Sequence, residues 1–271
     1  MLIDTHCHLD AAEFDADRLQ VAARARQAGV RGIVIPAVGR ANFAAVRDLA
    51  HAVPGGAYAL GIHPMYVERA RDEDLRALRA EAEAALADPR FVAIGEIGLD
   101  FFVPEIASGP PRRRQERFYA SQLELAAELD LPVLLHVRKS QDILLKYLRR
   151  IPVAGGIAHA FNGSAQQAQA FAERGFALGL GGAMTYERAL RIRGHAARMG
   201  LDRLVLETDA PDIPPAWLHG EARRNEPMHV AGVAAELAAL RGMPVDAVAA
   251  ATAATALRVL PRLGAVPGLR D

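Results

Sequence analysis

The features that are rare or absent in this sequence limit the classes of protein to which it can belong. Its 271 residues include a single cysteine, Cys7, so an internal disulfide is impossible and a reducing compartment is expected. Lysine plus arginine equals aspartate plus glutamate at 32 each, which excludes a strong overall positive field for attracting nucleic acid. Any polyanionic partner must therefore be met by a local patch.

Long apolar runs and a secretion signal are also missing. No stretch approaches about 18 uninterrupted apolar residues, so we expect no membrane-spanning helix. The first ten residues carry Asp4 and Asp10 in place of a basic segment followed by an apolar one, so we expect no signal peptide and a cytoplasmic protein. The composition, 51% hydrophobic and 24% charged, excludes a disordered chain.

Short apolar runs alternate with amphipathic segments along the chain. Eight runs predict strands at Leu2–Thr5, Gly32–Pro36, Tyr58–Gly61, Val92–Gly95, Val133–His136, Gly156–His159, Phe176–Leu180 and Leu204–Glu207. Most are continuously apolar, which is typical of parallel strands buried on both faces. The intervening segments repeat apolar residues at helical spacing. We therefore predict an α/β fold with one domain over 1–271, a (β/α)8 TIM-like barrel; an open doubly wound sheet is the alternative.

Histidines and acids fall where these predicted strands end. They are His6 and His8 in "THCH", His63 in "GIHP", Glu96 in "GEIGLD", His136 in "LLHVRKS", His159 in "IAHAFNGS" and Asp209 in "LETDAPD". The carboxyl ends of barrel strands share one face, where active sites are built, so these side chains should meet there. The other four histidines, His51, His195, His219 and His229, are expected on the surface.

These residue types indicate a metal site. Imidazole with carboxylate suits zinc, manganese or iron, and the absence of thiolate ligands argues against a structural zinc site. Strand alternation places His6 and His8 on one side and turns Cys7 away, as a small buried residue. Four imidazoles and two carboxylates exceed the needs of one tetrahedral ion. The count favours two ions about 3.5–4 Å apart, with Glu96 as the bridge.

Several motifs occur in a fixed order along nearly the whole chain: "DTHCHLD", "GIHP", "GEIGLDFF", "HAFNGS", "ETDAPDIPP" and "RRNEP". Together they resemble the TatD family of metal-dependent deoxyribonucleases, within the amidohydrolase superfamily, and "ETDAPDIPP" looks closest to its YjjV-like branch. The resemblance implies hydrolysis of DNA phosphodiesters with divalent metal ions, for which zinc, manganese and magnesium are the candidates. It implies the metal ligands His6, His8, Glu96, His136, His159 and Asp209.

Catalytic roles follow from this ligand set. We expect Asp209 to accept the proton of the attacking water, Glu96 to bridge the ions, and His63 to donate to the phosphate or the leaving oxygen. Glu207 and Asp100 are expected to orient ligands from behind.

Substrate contacts are predicted close to the ligands. Arg138 lies two residues beyond His136, so strand periodicity aims its guanidinium at the same face, where it suits phosphate. Asn162 and Ser164 open a helix after the sixth strand. The N–H groups there suit an anion, although Ser164 is equally well placed to cap the helix.

For other cationic and aromatic residues, the sequence indicates a contact with DNA less strongly. Arg112–Arg114 and Arg223–Arg224 are candidates for steering DNA, with a solvated surface run as the alternative. Trp217 and Phe101 are candidates for stacking on bases, with ordinary packing as the alternative.

Two other functions remain open. A metal-activated water can also attack a carbonyl carbon, so the protein could be a hydrolase of esters or amides, such as the D-aminoacyl-tRNA deacylase suggested by relatives of the family. A barrel that binds metal without catalysis, as a partner module, is the second. A groove near Arg138, Arg112 and Arg224 would favour nucleic acid, whereas a small closed apolar pocket would favour a carbonyl substrate.

Overall fold

Eight parallel strands follow one another around a single sheet in chain order. The computed structural model describes residues 1–219 and 223–270. The strands are β1 (Leu2–Asp4), β2 (Val30–Pro36), β3 (Gly56–Leu60), β4 (Phe91–Asp100), β5 (Val133–Arg138), β6 (Gly156–Ala158), β7 (Phe176–Leu180) and β8 (Leu204–Leu206). The α-helices are α1 (Arg18–Gln27), α2 (Phe43–Ala52), α3 (Asp72–Ala85), α4 (Gly109–Glu128), α5 (Gln141–Leu148), α6 (Ala165–Ala172), α7 (Leu190–Arg198), α8 (Val230–Arg241) and α9 (Val245–Val259).

Backbone hydrogen bonds bring the first and last strands together. The amide of Thr5 donates to the carbonyl of Leu206 at 3.0 Å, and the amide of Asp209 donates to the carbonyl of His6 at 2.8 Å. A parallel bridge between Cys7 and Ala210 continues this contact. The sheet therefore closes into the predicted (β/α)8 barrel, and the open-sheet alternative is wrong.

The strands are buried on both faces, as their continuous apolar runs predict. One buried cluster takes at least one residue from every strand: Ile3, Val34, Ala57, Ala59, Val92, Ala93, Leu134, Ile157, Ala177 and Val205. Their neighbours along the strands, such as Ile35 and Leu135, belong to a second cluster that includes the helices. Since strand side chains alternate, the first cluster fills the barrel and the second lies between barrel and helices.

The C-terminal segment covers one end of the barrel interior. Leu260, Leu263, Val266 and Leu269 are buried in the same cluster as the interior strand residues. The carbonyl of Pro267 accepts a hydrogen bond from Gly55, just before β3 begins, and Arg262 donates to the carbonyl of Phe91, where β4 begins. This segment therefore lies at the amino-terminal end, which leaves the carboxyl-terminal end for the site.

Strand β4 is longer than the sequence predicts. The expected strand Val92–Gly95 extends through Asp100, because β5 also continues to Arg138 and supplies backbone partners. Ile94 pairs with Val133 and Ile97 with Leu135, so β4 contains one extra residue at this point. Such a bulge re-aims a side chain. Glu96 therefore lies within a bulged strand and not at its end.

Gly98, in the "GEIG" motif, is required by close backbone packing. Its φ is +142°, and a Cβ there would lie 2.2 Å from the carbonyl oxygen of His136. A side chain at this position would separate β4 from β5 at the level of the site.

Within 1–219 and 223–270, no single helix is long and apolar enough to span a membrane. Pro227–Arg241 and Val245–Val259 pass the test of length and composition only as a pair, with a bend of 111° between them. Both α8 and α9 bury apolar faces, including Val233, Leu237 and Val248.

Candidate metal centre

The predicted ligands meet at the carboxyl-terminal end of the barrel. A cleft of about 970 Å³ is lined by five of the six, namely His8, Glu96, His136, His159 and Asp209, and also by His63. The sixth, His6, is completely buried beneath them and contacts Glu96. Cys7 is fully buried, as predicted.

Glu96 stands between two sets of histidines. Its Oε2 lies 3.2 Å from Nε2 of His6 and 3.4 Å from Nε2 of His8. Its Oε1 lies 2.9 Å from Nδ1 of His136 and 3.0 Å from Nε2 of His159. The two carboxylate oxygens therefore face different pairs of nitrogens.

Asp209 completes the set on the Oε2 side. Its Oδ1 lies 3.7 Å from Nε2 of both His6 and His8. Donor atoms around a tetrahedral zinc at 2.0–2.1 Å lie about 3.3 Å apart. The nitrogens and oxygens of His6, His8 and Asp209 lie within 4.8 Å of one another, as do those of His6, Glu96 and His159. Both the spacing and the chemistry of the donors fit divalent metal ions.

A buried acid orients His136, as the sequence predicts for Asp100, whereas Glu207 lies near His159 without a hydrogen bond to it, so its orienting role stays a prediction. Oδ2 of Asp100 lies 3.0 Å from Nε2 of His136, which leaves Nδ1 of that ring directed at Glu96. Glu207 accepts a hydrogen bond from the amide of Ala160 at 2.6 Å and lies 3.8 Å from Nδ1 of His159. Acceptors placed behind a histidine fix its tautomer and ring orientation.

The role of Asp4 was not predicted. Burial raises the pKa of this completely buried carboxyl group to about 8. Its Oδ1 accepts hydrogen bonds from the amides of Thr208 at 2.9 Å and His6 at 3.3 Å, and its Oδ2 lies 2.6 Å from the hydroxyl of Thr208. It ties the segment that carries His6 to the one that carries Asp209. An acid at the end of an apolar strand was the available signal, since a buried carboxylate needs partners.

Burial and neighbouring charges pull the pKa values of the cluster in opposite directions. Burial lowers the pKa of His6 to about 3. Burial also opposes the cation of His159, but the Glu96 carboxylate raises the pKa of His159 to about 10. Although burial favours its neutral form, the surrounding imidazoles hold the pKa of Glu96 well below its usual range. Protons and metal ions compete for such a cluster.

Unusual backbone conformations concentrate at the cleft. Five non-glycine residues of the described chain have positive φ, and four of them line the cleft: Lys139, Ala160, Asp209 and Ile213. Each such conformation costs about 1–3 kcal/mol and persists where the surrounding structure enforces it, which is common at functional sites.

His63 is held as a hydrogen-bond donor. Its Nδ1 accepts from the amide of Met65 at 3.2 Å, so the proton of the neutral ring is on Nε2. Nε2 points at Glu96, 3.3 Å from Oε1. Burial lowers the pKa of His63 to about 4, so the ring is neutral at pH 7. The same nitrogen lies 3.0 Å from Nδ1 of His136, and the donor atoms of His63, Glu96 and His136 are close enough together to hold a metal ion.

The predicted substrate residues take different positions. Arg138 and Asn162 line the cleft, whereas the neighbours of Ser164, Gly163 and Gln167, line it in place of Ser164 itself. The hydroxyl of Ser164 accepts from the amide of Gln167 at 3.2 Å and caps α6. Its contact with substrate stays a prediction.

The arginine clusters away from the barrel axis have structural partners. Arg112 pairs with Glu116 at 2.9 Å, and Arg114 donates to backbone carbonyls after the third strand. Arg224 pairs with Asp17 and Glu226. None of the three lines the cleft within the described residues. These partners favour the alternative of a surface run for the three arginines, and the steering of DNA by them stays a prediction.

The aromatic candidates also pack against the protein. Phe101 lies under the guanidinium of Arg112 at 4.1 Å, and the ring of Trp217 packs over Gly232. Phe102, the neighbour of Phe101, lines the cleft instead. The interpretation of Phe101 and Trp217 as packing residues is therefore the better one.

Two histidines expected on the surface are not there. His195 is buried and donates from Nε2 to the carbonyl of Gly163 at 2.8 Å, which supports the loop beside the cleft. His229 is partly buried, with Nδ1 2.9 Å from Oδ1 of Asn225. His51 is exposed and pairs with Asp88, and His219 is exposed, as expected. Helical spacing alone does not distinguish a buried histidine from an exposed one.

A model of TatD-related DNases matches residues 3–261. The chain belongs to the TatD family. It is 42% identical over 250 residues to an uncharacterized metal-dependent hydrolase, YjjV, of Escherichia coli K12, with 92% of this chain and 93% of YjjV covered. It is 34% identical over 257 residues to a TatD protein of a Pantoea strain, named a 3'-5' ssDNA/RNA exonuclease, with 92% and 95% covered.

The crystal structure of Escherichia coli YjjV superposes with a TM-score of 0.89 at 40% identity, covering 96% of this chain and 98% of YjjV. The predicted TatD membership and likeness to the YjjV-like branch are confirmed. The protein is a metal-dependent hydrolase of the TatD family, which sets aside the expectation of a non-catalytic barrel.

Proposed function

We propose that this TatD-family hydrolase cleaves phosphodiester bonds of DNA at a centre that holds two divalent metal ions. The observation that carries this proposal is the position of Glu96. Its two oxygens contact two different pairs of histidine nitrogens at 2.9–3.4 Å. A carboxylate that faces two donor sets is the arrangement expected of a bridging ligand.

The donors divide into two groups around that carboxylate. Oε2 of Glu96, with His6, His8 and Asp209, would hold one ion, and Oε1, with His136 and His159, would hold the other. When bound, divalent ions supply an activated water and neutralise charge on phosphoryl oxygens. Zinc, manganese and magnesium are the candidate ions, since the donors are imidazoles and carboxylates.

The chain's own residues supply the proton transfers. Asp209 lies at the wall of the cleft, 15% exposed, and burial raises the pKa of its carboxyl, which makes it a better proton acceptor. His63 carries its proton on Nε2, directed at the site, and donates it toward the phosphate or the leaving oxygen.

The lining of the cleft supports a phosphate substrate over a small carbonyl compound. Arg138 and Asn162 provide donors beside the metal ligands, and the polar side chains of Gln141 and Gln167 line the cleft with them. A carbonyl substrate of the alternative hydrolase would favour a small apolar pocket. The Pantoea relative named as an exonuclease of single-stranded nucleic acid gives further support.

Metal-reconstituted protein incubated with single-stranded DNA tests the proposal. We expect degradation by the wild type and by Glu124→Ala, which removes an exposed glutamate of α4. Glu96→Ala should lower the rate more than about 100-fold, because it removes the ligand that contacts both donor sets. Degradation that survives Glu96→Ala would contradict the mechanism. Ester hydrolysis without DNA cleavage under any divalent metal would favour the carbonyl alternative.

A further inference from the structure

Positively and negatively charged side chains lie on different sides of the cleft. Arg138 and Lys139 end and follow β5, and Arg191 belongs to α7, which follows β7. We call Arg138, Lys139 and Arg191 the cationic sector. On the other side, Asp10 and Glu13 follow β1, and Asp212 follows β8; these three form the acidic sector. Because the strands succeed one another around the barrel, the two sectors occupy different parts of the rim.

The cationic sector retains donors for a ligand. The guanidinium of Arg138 lies 3.9 Å from the ring of Phe102, and Nζ of Lys139 lies 4.7 Å from the same ring. Arg191 donates through Nη1 to the carbonyl of Asn162 at 3.3 Å. A guanidinium has five N–H donors, so this contact positions Arg191 without exhausting it.

Carboxylates do little to neutralise these three cations. Arg138 lies 3.7 Å from Oδ2 of Asp100, an oxygen that His136 also contacts. Among residues 1–219 and 223–270, no carboxylate forms an ion pair with Lys139 or Arg191. All three side chains are exposed at the cleft. This distinguishes them from Arg112 and Arg224, whose charges are paired.

The backbone of Lys139 is fixed in an unfavourable conformation. Its φ is +54°, in the left-handed region where a Cβ costs about 1–2 kcal/mol. The next residue, Ser140, is buried and donates to the carbonyl of Leu99 at 2.6 Å. This bond anchors the loop to β4 and keeps Lys139 at the rim.

We propose that the cationic sector binds backbone phosphates that flank the one cleaved, and that the acidic sector excludes them. Charge-assisted contacts from Arg138, Lys139 and Arg191 would hold the chain on the β5–β7 side of the centre. Like charges would repel it from Asp10, Glu13 and Asp212. The inference rests on the proposed function, because it requires a substrate with several phosphates.

Two substrates separate flanking phosphates from the cleaved one. A chromogenic nitrophenyl ester of a nucleotide has a single phosphate, whereas a short single-stranded oligonucleotide has several. The variants are Arg138→Gln, Lys139→Gln, Arg191→Gln and their combination, with Arg76→Gln as the control. Arg76 is an exposed arginine of α3 outside the lining of the cleft. The measured quantities are KM, kcat and the salt dependence of KM.

For the oligonucleotide, we expect each cleft variant to raise KM about tenfold with kcat unchanged. The slope of log KM against log salt should fall by about 0.7 per removed contact, and by about 2 in the combination. For the nitrophenyl ester, Lys139→Gln and Arg191→Gln should match the wild type, whereas Arg138→Gln should raise KM, because Arg138 lies beside the metal ligands. Arg76→Gln should match the wild type on both substrates.

The measurements distinguish a failure of the proposed function from a failure of this inference. Wild-type protein that cleaves neither substrate under any divalent metal contradicts the proposed function, and this inference with it. An active wild type whose oligonucleotide KM and salt slope are unchanged by the triple substitution contradicts this inference alone. An equal rise of KM for both substrates in Lys139→Gln and Arg191→Gln also overturns it, because these residues would then contact only the cleaved phosphate.

Discussion

At the scale of single residues, the site depends on which atom of each side chain faces the centre. His136 presents Nδ1 because Asp100 holds its Nε2, whereas His6 and His159 present Nε2. The sequence identified these three histidines from their strand ends, and we expected Asp100 to orient a ligand. It did not identify Asp4, because its partner Thr208 lies 204 positions away along the chain.

The orienting role of Asp100 gives a prediction for metal affinity. Asp100→Ala removes the acceptor for Nε2 of His136 and leaves the ring free to rotate. We expect the dissociation constant for zinc to rise by about 10–100-fold. Competition with a chromogenic chelator measures it.

Asp48→Ala is the matched control, since this carboxylate is 73% exposed and pairs with Arg47 on the surface. Its zinc affinity should equal that of the wild type. An unchanged affinity in Asp100→Ala would show that His136 does not need this acceptor.

At the scale of elements, the bulge in β4 places Glu96 between the histidines. Single-sequence patterns end this strand at Gly95, because an acid interrupts the apolar run there. The strand continues because β5 offers partners from Leu135 to Arg138, opposite Ile97 to Asp100. A bulge is a property of two paired strands, so the apolar pattern of one strand does not reveal it.

The packing of β4 on β5 predicts a stability effect. In Gly98→Ala, the new Cβ would meet the carbonyl oxygen of His136 at a backbone angle that suits glycine only. We expect the free energy of unfolding to fall by at least about 2 kcal/mol in urea denaturation.

Gly264→Ala provides the comparison, because the nearest atom to a Cβ there is 3.9 Å away. Its stability should be unchanged or higher by up to about 1 kcal/mol. Equal stabilities of the two variants would contradict the account of the "GEIG" motif.

At the scale of the whole molecule, the barrel brings together ligands that are up to 203 positions apart, from His6 to Asp209. Eight buried apolar runs with intervening helices were sufficient to predict this closure. The terminal helix α9 packs on the barrel, and the segment after it covers the interior. Long-range contacts of that kind leave no local pattern.

The terminal segment should therefore contribute strongly to stability. Leu263 is completely buried within the interior cluster, so Leu263→Ala should lower the free energy of unfolding by about 2–5 kcal/mol. Leu190→Ala, at a leucine that is 78% exposed, should change it by less than about 0.5 kcal/mol. Thermal or urea unfolding measures both free energies of unfolding. If the terminal segment were loosely attached, Leu263→Ala would change the free energy of unfolding as little as Leu190→Ala does.

The central claim is that Glu96 divides the donors into two metal positions. Elemental analysis of the wild-type protein tests it most directly, after saturation with zinc or manganese and removal of unbound metal. We predict two ions per chain, and fewer in Glu96→Ala, which loses the ligand common to both positions. One ion per wild-type chain at saturation would contradict the claim.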